Sequence, residues 1–495
     1  QSYKCSQVNT NLLEQKTTKM NLIKHENFVA NQWLAQGNGN HLAVVDKFNG
    51  KELSKLPLAT EDQMEQAIAA SVVAFEEMKT WSAGKRAEKL WALRSKIEEH
   101  AEELAQLIMK EAGKPISYAR NEIARCITTV ETAATETVRF TGEMVPLDFG
   151  AGEGKTAFTK RYPMGPVACI TPFNFPLNLV LHKVAPAIAV GSPVVVKPAP
   201  QSPLSTYALA ALMEEVGFPS GAMNVLVCDI PIAEKLVRDE RMAMLSFTGS
   251  EMVGWHLKNI AGRKKVTLEL GGNASVIVDE SADLKEAAIK VAVGSFIYAG
   301  QICISTQRIF VVEKVFEEFK NLLISEVGKL KTGDPSDDKV LVGPIIDAGH
   351  VDRIDSWVKE AVSAGAELLC GGGIISRENN TYAPTLITNT DNSMKVACAE
   401  AFGPIAILER VDDFEDGIRK TNDSNFGLQA GLFTNDFSNV KLSHELLEVG
   451  GIMVNNIPGF RIDSMPYGGI KGSGLGREGI KYAMEDMTEM RLIVY

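Results

Sequence analysis

The chain has 495 residues, of which 45% are apolar and 23% charged, a composition typical of globular proteins with large buried cores. At roughly 100–200 residues per domain, this length predicts two to four domains. Lys and Arg number 51 against 62 Asp and Glu, and the formal net charge of −11 disfavours anionic partners. We therefore expect neither a nucleic acid nor a membrane surface as partner.

The cysteines are scattered along the chain and contain no Cys-x-x-Cys pair. This pattern predicts neither a disulfide framework nor a zinc site, and we expect no bound metal. A reducing, cytoplasmic location is the simplest interpretation. The seven positions are Cys5, Cys126, Cys169, Cys228, Cys303, Cys370 and Cys398.

The N-terminal third begins with a polar leader. Residues 1–19 lack the apolar run of a secretory signal, so we treat them as an extension outside the fold. From Thr60 to Phe140 apolar residues recur at helical spacing between charges, which predicts several long amphipathic helices. The Gly-rich stretch from Thr141 to Thr159 is typical of a protruding hairpin.

From Gly165 strand and helix patterns alternate regularly, which predicts a parallel, doubly wound sheet. Ligands of such sheets bind beyond the carboxyl ends of the strands, so the residues directly after each strand are site candidates. The predicted strands are Val167–Ile170, Val194–Val196, Val225–Val227, Met244–Phe247 and Val266–Leu270, with helices such as Leu204–Val216 and Glu251–Ile260 between them.

A second alternating series runs from Ala274 to about Pro466. The chain then ends on a β-prone segment, Met490–Tyr495, with no obvious partner in its own domain, which favours pairing with another subunit. The predicted strands of this series are Ser275–Val278, Ile309–Val312, Pro404–Leu408, Ala430–Phe433 and Ile452–Val454.

Two glycine-rich motifs are misleading. The run Gly474–Gly479 matches the dinucleotide fingerprint G-x-G-x-x-G, but no predicted strand precedes it and too few residues follow for a βαβ unit. The run Gly150–Thr156 suggests a phosphate loop, but its first glycine would fall at Phe149. We reject both interpretations.

Polar side chains follow the predicted strands of the first sheet. Asn174, between Pro172 and Pro176, is either a turn residue or a rigidly held amide donor at a pocket mouth. Lys197 is either a solvated lysine or one that binds a hydroxyl or a phosphate. The run 247–250 (Phe-Thr-Gly-Ser) is either a helix cap or a helix N-terminus that binds a phosphate.

Two further residues have reactive side chains. Glu269 lies between leucines at the end of a buried strand, where a carboxylate is unfavourable unless it is paired or used, and we favour a functional carboxylate over an ion pair. Cys303 lies in a loop led by Gly300, and with a candidate base elsewhere this is the pattern of a nucleophile. We expect the other cysteines to be inert.

Together these segments resemble the aldehyde dehydrogenase superfamily, in order and spacing, from about Leu22 to Tyr495. They are Pro172-Phe173-Asn174-Phe175-Pro176, Lys197-Pro198, Phe247-Thr248-Gly249-Ser250, Leu268-Glu269-Leu270-Gly271-Gly272, Gly300-Gln301-Ile302-Cys303, Glu400-Ala401-Phe402-Gly403-Pro404, and Pro466-Tyr467-Gly468-Gly469 with the residues that follow.

The resemblance implies an α/β fold with two doubly wound parallel-sheet domains and a small β oligomerisation arm. By this division the extension at 1–19 is followed by a dinucleotide-binding domain at 20–144 and 165–271. The catalytic domain then covers 272–472, and the arm is formed by 145–164 and 484–495.

The family also implies the role of each candidate. Cys303 would attack the aldehyde carbon, Asn174 and the Cys303 backbone N–H would hold the oxyanion, and Glu269 would activate water to release the acid. Relatives that pass the acyl group to coenzyme A typically lack this glutamate, so its presence favours hydrolysis. The implied cofactor site binds the adenosine ribose at Lys197, the pyrophosphate at Ser250 and the nicotinamide ribose at Glu400, and is completed by Thr171, Gly249 and Phe402.

Two positions depart from the family pattern. Pro200 stands where NAD-preferring relatives often carry a glutamate that repels a 2′-phosphate, so we expect NADP to be tolerated as well as NAD. Asn273 stands where many relatives have lysine, and the sequence offers no functional interpretation of it.

For the substrate, Arg125 resembles the anion-binding arginine of non-phosphorylating glyceraldehyde-3-phosphate dehydrogenases, and Arg461 lies near a second such position. Alternatively, both form ion pairs. If both face the pocket, the substrate is a short aldehyde with a distal phosphate, carboxylate or hydroxyl, such as glyceraldehyde 3-phosphate, succinate semialdehyde or lactaldehyde.

The sequence therefore predicts a hydrolytic NAD(P)-dependent aldehyde dehydrogenase that forms homodimers or homotetramers. Two alternatives stay open. One is a coenzyme-A-acylating semialdehyde dehydrogenase on the same fold, and the other is a catalytically idle structural relative.

Overall fold

A computed structural model describes residues 22–495, so the predicted extension at 1–19 lies outside the described residues. Two short hairpins, which the sequence analysis did not predict, come before the predicted helices. The first helix begins after Thr60, whose hydroxyl accepts the Gln63 N–H while the Gln63 side chain accepts the Thr60 N–H. The elements are β1 (Asn27–Val29), β2 (Gln32–Leu34), β3 (His41–Val45), β4 (Glu52–Pro57), α1 (Glu61–Met78), α2 (Ala83–Glu99), α3 (Ala101–Ala112) and α4 (Ile116–Arg139).

The middle of the chain follows the predicted alternation of strands and helices. Its helix from 178 to 190 is buried all round and contains Pro186. The elements are β5 (Met144–Val145), β6 (Ala157–Pro163), β7 (Val167–Ile170), α5 (Asn178–Val190), β8 (Val194–Lys197), α6 (Leu204–Val216), β9 (Met223–Val225), α7 (Ile230–Arg238), β10 (Met244–Thr248), α8 (Glu251–Ile260) and β11 (Lys265–Glu269).

The last part of the chain contains the second alternating series and then returns to the first sheet. Its elements are β12 (Ser275–Val278), α9 (Leu284–Phe296), β13 (Arg308–Val312), α10 (Phe316–Val327), α11 (Ala348–Ser363), β14 (Glu367–Cys370), β15 (Ile374–Ser376), β16 (Thr381–Tyr382), β17 (Thr385–Thr388), α12 (Lys395–Cys398), β18 (Ile405–Val411), α13 (Phe414–Asn422), β19 (Phe426–Gly427), β20 (Gln429–Phe433), α14 (Phe437–Leu446), β21 (Gly451–Val454), β22 (Ile470–Lys471), β23 (Gly474–Leu475), α15 (Ile480–Asp486) and β24 (Thr488–Val494).

Two large sheets organise the structure. The first has the order β2-β1-β9-β8-β7-β10-β11-β23, and its strands from β9 to β11 are parallel. The second has the order β14-β17-β18-β13-β12-β20-β21, in which only β14 is antiparallel to its neighbour. Their central strands are buried on both faces, which explains the continuous apolar runs in the sequence. The predicted fold class is confirmed.

The terminal strand has a partner within its own chain that the sequence did not identify, because strand pairing is non-local. β24 pairs antiparallel with β6, from Thr488 opposite Pro163 to Val494 opposite Ala157. Its other edge is unpaired within residues 22–495, so the expected pairing with another subunit stays a prediction. The two strands and β5 form a three-stranded sheet that matches the predicted arm segments. The role of this arm in oligomerisation and the division into domains stay proposals.

The glycine-rich run at 474–479 also has an ordinary role. Its first residues form β23, which pairs antiparallel with β11, so Gly474 lies opposite Glu269. This pairing is not that of a βαβ unit, and it brings the C-terminal segment beside the end of β11. Within residues 22–495, every helix is too short or too polar to cross a bilayer.

Candidate active site

One cavity of about 500 Å³ lies at the carboxyl ends of the parallel strands in the first sheet. The loop before β13 closes its opposite side and carries Cys303. The cavity brings together every residue that the sequence analysis named for catalysis and for the cofactor, namely Thr171, Asn174, Lys197, Gly249, Ser250, Glu269, Cys303, Glu400 and Phe402. Their individual roles stay predictions.

The loop that carries Cys303 is held in an unusual backbone conformation. Tyr298, Ala299 and Gly300 have φ angles of 54°, 53° and 67°, in the left-handed region that non-glycine residues rarely adopt. The Tyr298 hydroxyl anchors this turn by donating to the Ala112 carbonyl at 2.9 Å. The Gln301 side chain donates to the carbonyls of Tyr298 and Pro344. These bonds fix the loop to the helical layer.

Cys303 is half-buried in the wall of the cavity. Burial raises its pKa to about 11, and a hydrogen bond with the Tyr467 hydroxyl opposes this shift. The negative charge of Glu400 adds to the increase, whereas the positive charge of Arg461 opposes it. At neutral pH Cys303 is therefore mostly a thiol, and its reactivity depends on the groups around it.

Asn174 lies beside the nucleophile loop. Its Nδ2 donates to the Gln301 carbonyl at 3.0 Å, which leaves the second amide hydrogen free. Its Oδ1 is buried and has no hydrogen-bond partner among residues 22–495. This bond holds the Asn174 amide against the backbone of Gln301, two residues before Cys303. An oxyanion site requires such a fixed donor beside the nucleophile.

Glu269, the last residue of β11, is only 3% exposed. Neither carboxylate oxygen has a hydrogen-bond partner in the described part of the chain. Burial, together with the negative charge of Glu478, raises the pKa of Glu269 well above its ordinary value. A carboxyl group in this state can take up a proton near neutral pH, as a general base must.

The end of the cavity beside Gly249 and Ser250 is lined by close backbone. The Gly249 N–H donates to the Glu269 carbonyl at 3.0 Å, and a Cβ atom on Gly249 would lie 2.6 Å from the Phe247 ring. Ser250 precedes α8, and its side chain makes no capping hydrogen bond within residues 22–495, so this helix N-terminus has the character of an anion site. Burial lowers the pKa of Lys197 at the end of β8.

The other end of the cavity is built around Glu400. Its Oε1 accepts the Gly272 N–H at 3.1 Å, and burial raises its pKa to about 7. Phe402 packs edge-on against Phe173, with ring centroids 5.6 Å apart. Thr171 Oγ1 is buried without a hydrogen-bond partner among residues 22–495. Unpaired polar atoms, a glycine-lined floor and a helix N-terminus fit an elongated dinucleotide.

The two substrate candidates do not line this cavity but form ion pairs beside it. Arg125 donates to Asp463 Oδ1 at 2.8 Å. Arg461 donates to His182 Nδ1 at 2.7 Å and to Glu478 Oε2 at 3.2 Å. The ion-pair alternative is therefore observed, but the Nε atoms of both arginines are buried and unpaired within residues 22–495. Each arginine therefore keeps one N–H donor without a partner in the described part of the chain.

His182 lies at the centre of the surrounding network. Its Nδ1 is 2.7 Å from the Arg461 guanidinium and 3.3 Å from Glu478 Oε2, and its Nε2 is 2.7 Å from Asp463 Oδ1. Burial alone would raise the pKa of Asp463. The hydrogen bond with His182 and the charge of Arg125 nevertheless hold this pKa below its usual range. Likewise, despite burial, the positive charge of Lys183 holds the pKa of Glu478 well below its ordinary value.

Sequence reasoning missed several residues of this region. Tyr467 belongs to a quoted motif but received no role, and His182 and Lys183 lie on a helix so fully buried that no polar face marks them. His350 and Arg353 of α11 line the cavity near Glu400, yet no motif drew attention to them. Only their placement in three dimensions identifies them.

The unexplained departure at Asn273 has a structural role. Its Nδ2 donates to the Ala397 carbonyl at 3.2 Å, and its Oδ1 accepts from the Ser424 hydroxyl at 2.8 Å. Its carbonyl accepts from Arg308 Nε at 2.9 Å. Asn273 therefore ties the start of β12 to the segment that leads to Glu400.

Comparison with known proteins agrees with this site. A 3-sulfolactaldehyde dehydrogenase from Priestia aryabhattai is 41% identical over 469 residues, which cover 94% of this chain and 97% of the relative. A lactaldehyde dehydrogenase from Methanococcus aeolicus is 36% identical over 472 residues, covering 94% and 99%.

Solved structures show the same fold. The crystal structure of aldehyde dehydrogenase 21 from Physcomitrella patens, in complex with the reaction product succinate, has a TM-score of 0.92 and 40% identity, and the match covers 96% of this chain and 99% of that one. Glyceraldehyde-3-phosphate dehydrogenase from Methanocaldococcus jannaschii, complexed with NADP, has a TM-score of 0.88 and 37% identity, covering 92% and 99%.

The family assignment follows from the length of the match. A sequence profile described as the aldehyde dehydrogenase family matches residues 33–493, a range that contains the whole cavity and both arginines. Enzymes of this family oxidise aldehydes with NAD or NADP. The chain belongs to the aldehyde dehydrogenase family.

Proposed function

We propose that this enzyme oxidises a short aldehyde with a distal anionic group to its carboxylic acid, with Cys303 as nucleophile. One observation carries the proposal. Cys303, Asn174 and Glu269, from three separate segments, line one cavity whose remaining walls fit NAD(P). A thiol, an amide donor and a carboxyl group of raised pKa are the groups that oxidation followed by hydrolysis requires.

In the oxidative half, the Cys303 thiol loses its proton to solvent, and the thiolate adds to the aldehyde carbon and forms a thiohemiacetal. The free amide hydrogen of Asn174 and the Cys303 backbone N–H stabilise the oxyanion. Bound NAD(P) supplies the acceptor for the hydride that leaves this carbon, and the acyl group stays on sulfur as a thioester. Lys197, Ser250 and Glu400 would hold the cofactor, with Thr171, Gly249 and Phe402 shaping its surroundings.

In the hydrolytic half, Glu269 takes a proton from water, which attacks the thioester carbon. The acid leaves, the thiolate is restored, and the proton on Glu269 passes to solvent. Glu478 supports this role because its negative charge makes Glu269 a stronger base. The presence of Glu269 also disfavours transfer to coenzyme A, the alternative reaction on this fold.

The charges beside the cavity support an anionic substrate. Arg125 pairs with Asp463, and Arg461 and Lys183 share Glu478, so three cations meet two carboxylates in these ion pairs. A substrate anion would balance the remaining charge and use the free Nε donors. The names of the relatives agree: one acts on 3-sulfolactaldehyde and one binds succinate as product.

Initial rates on a panel of short aldehydes test the proposal, each with NAD and with NADP, and with and without coenzyme A. We expect anionic aldehydes to be preferred and the free acid to be the product. Cys303→Ala should abolish the oxidation. Turnover retained in that variant would refute the role of Cys303 as nucleophile. Formation of acyl-coenzyme A by the wild-type enzyme would identify the alternative reaction, and no wild-type activity with any aldehyde would favour a catalytically idle relative.

The assembly and the location stay predictions. A homodimer or homotetramer is supported by the long edge of β24, whose side chains are mostly exposed and include Leu492, Ile493 and Val494. A cytoplasmic location rests on the scattered cysteines alone.

A further inference from the structure

The hydroxyl of Tyr467 lies 3.2 Å from the Cys303 sulfur. Tyr467 is 3% exposed, and its backbone is fixed by two hydrogen bonds with the backbone of Glu478, one in each direction. The Arg461 guanidinium lies over its ring, 3.6 Å from the centroid. The hydroxyl therefore keeps its position beside the sulfur without any help from a substrate.

We propose that Tyr467 is a further catalytic residue, whose hydroxyl donates a hydrogen bond to the Cys303 sulfur and stabilises the thiolate in its attacking position. This inference rests on the proposed role of Cys303 as nucleophile. A hydrogen bond to a charged acceptor is stronger than one to a neutral acceptor, so the contact favours the thiolate over the thiol.

The direction of the bond follows from the surroundings. Burial and the nearby sulfur raise the pKa of Tyr467 well above its ordinary value, so the phenol keeps its proton at neutral pH and donates it. The cation over the ring draws electron density from the oxygen and strengthens the donor. No proton leaves Tyr467 during the reaction.

Other charged and titratable groups act on the same sulfur. Glu400 and Glu269 oppose the thiolate, whereas Arg461 favours it. Tyr118 is also close enough for a thiolate to raise its pKa, to about 12 with burial as the main cause. Among these groups only Tyr467 forms a direct hydrogen bond with the sulfur in the described residues. Removing this hydroxyl therefore breaks the hydrogen bond but changes little in the electrostatic effect of the other groups on the sulfur.

The test is Tyr467→Phe, which removes one oxygen atom. We expect alkylation of Cys303 by iodoacetamide in the cofactor-free enzyme, followed by mass spectrometry of its peptide, to slow about tenfold at pH 8, with its pH midpoint moved upward. The value of kcat should fall, while the KM for the aldehyde should change little. The matched control is Tyr207→Phe, which removes a buried hydroxyl bonded to Asn27 and Val227 and should leave the alkylation profile unchanged.

A wild-type alkylation profile in Tyr467→Phe overturns the proposal. So does a rise in KM with unchanged alkylation, which would assign the hydroxyl to substrate binding. If Tyr467→Phe does not fold, 3-fluorotyrosine can be placed at position 467. It is a stronger donor of nearly the same size, so it should accelerate alkylation at a given pH. Unchanged or slower alkylation would overturn the proposal. Alkylation reports on the sulfur directly, so this result is independent of whether Cys303→Ala supports the proposed function.

Discussion

Glu400 lies so close to the backbone of Gly271 that a Cβ atom at position 271 would stand 2.1 Å from Oε2. The next residue, Gly272, donates its N–H to Oε1 at 3.1 Å. The segment after β11 must therefore be free of side chains here for the carboxylate of Glu400 to reach its place in the cavity wall.

Gly271→Ala should displace Glu400 and raise the KM for NAD(P) about tenfold or more, because a hydrogen bond to a charged group is lost. Steady-state kinetics at saturating aldehyde measure this effect. Gly373→Ala is the control, since a Cβ atom there meets nothing within 4 Å. An unchanged KM in Gly271→Ala would show that Glu400 does not hold the cofactor.

Glu269→Gln should separate the two halves of the reaction. The first turnover should still release NAD(P)H in an amount equal to the sites, because oxidation does not need the carboxylate. Steady-state turnover should fall by about 100-fold or more, since hydrolysis loses its general base. Rapid mixing with detection of NAD(P)H checks both outcomes, and loss of the first turnover as well would contradict the assigned role.

The raised pKa of Cys303, about 11, predicts a steep pH dependence of its chemistry. Below this pKa the thiolate fraction grows tenfold for each pH unit, so iodoacetamide should label Cys303 about 100-fold faster at pH 9 than at pH 7. Labelling of the exposed Cys398 in the same sample is the internal control. A plateau in Cys303 labelling near pH 8 would show that the cofactor-free enzyme already lowers this pKa.

Arg125 and its partner Asp463 should affect an anionic substrate in opposite directions. Arg125→Leu should raise the KM for succinate semialdehyde about tenfold or more, but change that of neutral butanal little. Asp463→Asn should lower the KM for the anion, because a competing carboxylate is removed from Arg125 and His182. Equal effects on both aldehydes would support the ion-pair alternative, in which the two residues only stabilise the fold.

Pro200→Glu tests the basis for NADP tolerance. The residue lines the cavity three positions after Lys197, so a glutamate would bring a negative charge toward a 2′-phosphate. The ratio of kcat/KM for NADP to that for NAD should fall about tenfold or more. Pro200→Gln, which adds length without charge, is the matched control, and an equal fall in both variants would indicate a steric cause.

Several cavity residues could be predicted because they lie at the end of a strand or in a short loop beside one. Asn174, Lys197, Gly249 and Glu269 follow apolar runs of parallel strands, whose carboxyl ends share one edge of the sheet. Cys303 was identified in a different way, from its glycine-led loop and from the family motif.

Contacts between distant segments could not be predicted in this way. Tyr467 and Cys303 are 164 residues apart, and no periodicity records that they meet. His182 shows no polar face because α5 is buried on every side. The pairing of β24 with β6 depends on the same kind of non-local contact, and the sequence did not identify β6 as a partner.

The strained turn at 298–300 is anchored to the last residue of α3, whereas Arg125 and Arg461 project from α4 and from the segment after β21. On the proposed roles, the reactivity of Cys303 and the choice of aldehyde by Arg125 depend on different helices, whereas Arg461 lies over the Tyr467 ring and acts on the sulfur as well. For an engineer, libraries that randomise α4 around Arg125 would then change substrate range while the sulfur keeps its geometry.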